Sequence, residues 1–137
     1  MNYWLLKSEP FKYSWQQLQK DKRTHWDGVR NHQAANNMKA MAVGDRAFFY
    51  HSNEGMEIVG IAEIARTAYP DPSDATGKFV MVDVKPIEPV KTPLSLAAIK
   101  ADPKLAEMQF VRQGRLSVSA VTPAEYKHIC KLLGVKP

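Results

Sequence analysis

The chain has 137 residues, 45% apolar and 24% charged, with 19 Lys and Arg against 14 Asp and Glu and a formal charge of +5. That size and balance predict one domain over residues 1–137 and exclude disordered and fibrous classes, while the lone cysteine, Cys130, excludes a disulfide framework and a thiolate metal site. No apolar run approaches the roughly 20 residues of a membrane span and the N-terminus lacks a signal-peptide plan, so no membrane partner and a cytoplasmic location, nuclear in a eukaryote, are expected.

YWLLK, residues 3–7, is apolar on consecutive positions and predicts a short buried strand, stopped by Ser8-Glu9-Pro10. Ser14 with Gln17 has capping-box spacing and predicts a helix over 15–20. Asn31 is placed to cap a second helix reaching about Ala40. After a turn at Gly44-Asp45 the period becomes strand-like: RAFFYHS (46–52), a turn at Asn53-Glu54-Gly55, and MEIVGIAEIA (56–65) predict a hairpin. YPDPSDATG (69–77) reads as a loop and FVMVDVKPI (79–87) as a strand that Pro86 ends or marks as an edge. A small helix over 96–100 and a strand over 116–121 follow. Thr122-Pro123-Ala124-Glu125 opens a final helix whose apolar face holds Tyr126, Ile129, Cys130 and Leu133, with Gly134 at its C-terminal cap. About five strands with short helices between them predict an α+β domain on a strongly bent sheet or small barrel.

Motifs with defined chemistry are few. The four histidines show no metal-ligand spacing, and neither a phosphate cradle nor a nucleophile elbow occurs, so no metal, cofactor or triad chemistry is expected. Asp83 interrupts an apolar strand and must be hydrogen-bonded if it is buried. What remains is aromatic residues interleaved with cations: Trp4 with Lys7, Trp26 with Arg30, Tyr50 with His51, and Arg112 and Arg115 near Phe110. Cations hold phosphates while flat rings stack bases. The pI near 9.4 raises the same expectation of a polyanionic partner.

The ordered blocks YWLLKSEP (3–10), WDGVRNHQAANNMKAM (26–41), VGDRAFFYHSN (43–53), IVGIAEIARTAYPDP (58–72), FVMVDVKP (79–86) and GRLSVSAVTPAEY (114–126) resemble the EVE domain family. The family is PUA-like and similar to the YTH readers of methylated adenosine. The resemblance implies a small, mostly antiparallel pseudo-barrel of five to six strands with helices in its connections. It also implies a non-catalytic pocket for a modified nucleobase in DNA or RNA, 5-methyl- or 5-hydroxymethylcytosine for example. Carried onto this sequence, the base pocket falls on Ser8, Trp26, Val29, Asn31, Tyr50, His51, Ser52, Leu116 and Ser117, with Trp26 stacking and Ser8, Asn31 and Ser52 reading base edges. Lys7, Arg30, Lys39, Arg112 and Arg115 would meet phosphates. One departure is the short stretch SDATGK (73–78), where family members usually carry a longer insertion. Two rival expectations remain: a base-modifying hydrolase of the ASCH type using Lys7 and Glu9, and a protein-interaction module that has lost its ligand.

Overall fold

A computed structural model describes residues 1–137. Six strands, β1 (Tyr3–Ser8), β2 (Thr24–Trp26), β3 (Arg46–His51), β4 (Glu57–Pro70), β5 (Val80–Ser95) and β6 (Val118–Val121), form one sheet in the order β2-β5-β4-β3-β1-β6. Helices α1 (Trp15–Asp21), α2 (His32–Lys39), α3 (Leu96–Ala101), α4 (Gln109–Arg112) and α5 (Pro123–Leu133) fill the connections, with a 3-10 turn at Pro103–Leu105. The sheet is an open pseudo-barrel whose two edge strands are β2 and β6.

All pairings are antiparallel except β1 with β3, where Tyr3 lies opposite Arg46 and Ser8 opposite His51. A parallel pair needs a long crossover. Here α1, β2 and α2 together supply it, although none of them is long.

Alternation along the inner strands divides the core between the two sheet faces. Trp4, Leu6, Ala47 and Phe49 join Leu18, Trp26 and Met38 in one cluster. Leu5, Phe48 and Tyr50 join Tyr126, Ile129, Cys130 and Leu133 in the other. Strands covered on both faces must be apolar at consecutive positions, which is why YWLL and AFFY read as continuous runs. Cys130 is fully buried, and burial pushes its thiol above the usual range.

The caps form where expected, but the box at Ser14 is only half made, because the Gln17 amide donates to Asp21 at 2.9 Å instead. Ser14, Asn31 and Thr122 each accept a backbone N–H of the following turn, and Glu125 completes a capping box with Thr122. Gly134 closes α5 at φ +74°, a conformation that glycine adopts freely.

Two strands run further than expected. β4 continues through Tyr69-Pro70, and β5 runs past Pro86, Pro89 and Pro93 to Ser95. Register shifts between Ile58 and Gly60 and between Ile61 and Ala62 accommodate this, because a bulge tolerates a residue without an N–H. The bulges also bend the sheet. Gly60 sits at one of them beneath the Trp15 indole, which leaves no room there for a Cβ. Strand β2 was not expected, and it is the strand that carries Trp26.

Candidate nucleic-acid interface

Because the barrel does not close, a seam is left between its two edges. A cleft of about 690 Å³ opens along that seam. One wall is β2 and its exit, Thr24 to Asp27, and the other is the segment before β6, with Gly114, Arg115 and Ser117. Lys7, Ser8 and Glu9 at the end of β1, Lys12 and Tyr13 just beyond it, and Ser52 after β3 complete the lining. That volume lies within the range of small-ligand sites.

Backbone hydrogen bonds fix these segments to one another. Lys7 N–H donates to the Ser117 carbonyl at 3.0 Å and Ser52 N–H to the Ser8 carbonyl at 2.9 Å. The Ser8 hydroxyl donates to the Tyr13 carbonyl at 2.6 Å. Lys7 Nζ donates to the Gly114 carbonyl at 2.5 Å and lies 5.0 Å from the Phe110 ring centre, so this lysine ties the loop before β6 to β1. Burial, with repulsion from Lys100, lowers its pKa.

Trp26 is both a core residue and part of the cleft wall. The residue is only 9% exposed, yet it lines the cleft. Phe49 and Tyr13 meet it edge-to-face at centroid distances of 5.5 and 6.5 Å. Such contacts immobilise a ring, so this wall of the cleft is preorganised.

Four hydrogen bonds to one carboxylate hold the loop after Trp26. Asp71 accepts from Gly28 N–H at 2.9 Å, Arg30 Nη1 at 3.1 Å, Ser73 N–H at 2.8 Å and the Ser73 hydroxyl at 2.6 Å. Burial opposes its ionisation, but the bonds from Ser73, Gly28 and Arg30 outweigh burial and hold the carboxyl well below the usual range. Arg30 Nη2 also donates to the Ser73 hydroxyl, which extends the clasp.

Of the residues expected in the base pocket, Ser8, Trp26, Ser52 and Ser117 line the cleft, and Lys7 and Arg115 of the expected phosphate contacts do so too. The structure places the others outside its walls, for physical reasons that differ. Val29, Tyr50 and Leu116 are core side chains, Tyr50 packing edge-on to Phe110. Asn31 spends its carbonyl oxygen on Ala34 N–H as the cap of α2. His51 is 9% exposed, with Nε2 accepting Trp15 N–H at 3.0 Å. Among the cations, Arg30 belongs to the Asp71 clasp, Arg112 pairs with Glu107 at 3.4 Å, and Lys39 is exposed at the end of α2. Lys12, Tyr13, Thr24, His25, Asp27 and Gly114 line the cleft without having been singled out.

The buried His51 contact has a measurable consequence. Nε2 accepts only when the ring is neutral, and burial, partly offset by Glu57, lowers the pKa from 6.5. A depressed histidine pKa leaves stability intact above the unfolded value and removes it as pH falls through the folded one. Denaturant unfolding between pH 7 and pH 5 is expected to show stability declining as this group takes up its proton in the unfolded chain. His51→Gln, which does not titrate, should lose that part of the slope.

The EVE domain family model matches residues 2–132. Thymocyte nuclear protein 1 of Rattus norvegicus is 37% identical over 171 aligned positions, which span 99% of this chain and 75% of that protein. A protein of Rhodopseudomonas palustris solved by NMR is 57% identical with a TM-score of 0.92, over 98% of this chain and 94% of that one. Human THYN1 in complex with 5-methylcytosine-containing DNA is 33% identical with a TM-score of 0.89, over the full length of both chains. The match from end to end, on the expected PUA-like pseudo-barrel, shows that this chain belongs to the EVE domain family.

Proposed function

We propose that the protein is a non-catalytic nucleic-acid-binding domain that takes a modified nucleobase, such as 5-methylcytosine, into the seam cleft. The observation that carries this reading is one cleft with a fixed indole in its wall, serine hydroxyls beside it and Lys7, Lys12 and Arg115 around it. A flat ring supplies stacking, worth about 1–3 kcal/mol per base, and the hydroxyls supply edge recognition. Cations supply the salt-dependent attraction to phosphates. The complex of human THYN1 with methylated DNA supports the same reading. In it Arg30 is a positioning residue, holding the loop after Trp26 while meeting the backbone with its exposed side.

The direct test is a binding panel of short DNA and RNA oligomers, with and without modified cytosine, titrated at several salt concentrations. A preference for a modified oligomer is expected, with affinity falling as salt rises. Arg115→Ala should weaken binding alike across sequences and reduce the salt slope by about 1. Equal affinity for modified and unmodified oligomers would count against a base pocket.

Lys7 and Glu9 bear on the hydrolase alternative. Glu9 is engaged by Lys12 at 3.4 Å and by Asn53 Nδ2 at 2.7 Å, and Lys7 by the Gly114 carbonyl. Each side chain is thus committed to holding a loop. Unchanged nucleoside after incubation with concentrated protein is expected, and product formation would favour the enzyme.

A further inference from the structure

Beside the cleft, residues 9–13 form a tight turn with an aromatic residue at its tip. Lys12 and Tyr13 N–H groups both donate to the Glu9 carbonyl at 2.9 Å, and the Ser8 hydroxyl grips Tyr13 from below. Pro10 occupies the first central position, where its fixed φ suits the turn, and Phe11 the second. Phe11 is 68% exposed, whereas every other Phe, Tyr and Trp ring in the chain is buried or half-buried. Its neighbour Lys12, also largely exposed, lines the cleft, as do Glu9 and Tyr13.

Exposing a phenyl ring on a rigid tip costs hydrophobic free energy that burial would recover. The position of this ring suggests what buries it. Phe11 adjoins the cleft-lining Lys12 in the chain without lining the cleft itself, which sets its ring at the rim. Lys12 next to it and Arg115 across the cleft put positive charge where a phosphate backbone would run.

We infer that Phe11 is a wedge that enters the stack of a double-stranded nucleic acid and fills the gap left by the base drawn into the cleft. The inference rests on the base-binding reading above and adds the substrate class: duplex, opened by the protein itself. Extruding a paired base costs a few kcal/mol, and inserted apolar side chains are a general way to offset such a cost. A single-stranded ligand leaves no gap, so the wedge contributes nothing there.

The experiment compares wild type and Phe11→Ala on a duplex and on the single strand of the same sequence, each with one 5-methylcytosine, by fluorescence anisotropy. A second duplex carries 2-aminopurine beside the modified base, so that unstacking brightens it. Phe11→Ala is expected to lose about tenfold in duplex affinity and less than about twofold on the single strand, with a reduced 2-aminopurine response. Equal losses on both ligands, or none on either, would overturn the wedge, as would wild type that binds the single strand only. Wild type that binds neither ligand would overturn the base-binding reading itself.

Discussion

Asp71→Ala is expected to lower the unfolding free energy by about 3 kcal/mol and to weaken nucleic-acid binding with no contact to the ligand removed. The variant withdraws four hydrogen bonds at once and leaves Gly28 N–H and the Arg30 guanidinium without their shared acceptor. Water repairs the arginine more readily than the backbone amide, because the Arg30 side chain is 40% exposed while that of Asp71 is fully buried. Losing a buried acceptor costs about 1–3 kcal/mol for the stranded group, and the broken ion pair adds to it. Asp71→Asn keeps one acceptor oxygen and should fall between the two. The pH dependence follows from the lowered carboxyl pKa: the clasp contributes fully above the unfolded value of 3.8 and is lost as pH falls through the folded one. Urea unfolding should therefore show a wide gap between wild type and Asp71→Ala at pH 7 that narrows below pH 4. A constant gap would mean that the carboxylate charge is not what closes the loop.

The clasp also shows how far the sequence can be read. Caps and turns were legible because they depend on neighbours within a few residues, as in Ser14 with Gln17 and Thr122 with Glu125, and the unbroken apolar run YWLL marked β1 as buried. Strand β2 was not legible, because three residues of ladder on an edge leave too short a pattern to register. β4 and β5 outrun the sequence pattern for the opposite reason, since prolines read as breaks where the sheet in fact bends. Site residues divide in the same way. Trp26, Ser8, Ser52 and Ser117 come from segments that the family resemblance places together, and they do share a cleft. Tyr50 and His51 lie in the same block as Ser52, but alternation along β3 and burial at its end turn them into structure. Asp71 carries no local signal inside YPDP, because its partners are 43 and 41 residues away, at Gly28 and Arg30.

Trp26 carries the largest expected effect, and it must be measured in two ways, since the residue is both wall and core. Trp26→Ala removes a ring packed against Phe49 and Tyr13 and is expected to cost about 3–5 kcal/mol of stability. Loss of binding in that variant alone would confuse unfolding with loss of stacking. Two replacements separate these effects. Trp26→Leu keeps an apolar filler and removes the flat face, whereas Trp26→Phe keeps a smaller face in the same place. If the ring stacks the base, affinity for a modified oligomer should fall about tenfold or more in Trp26→Leu and much less in Trp26→Phe, while both remain folded by circular dichroism. Equal affinities in the two variants would assign Trp26 to the core alone and leave the cleft without its stacking wall. The edge-to-face contacts argue for the first outcome: they fix the ring before any ligand arrives, so little entropy remains to be lost when a base lies against it.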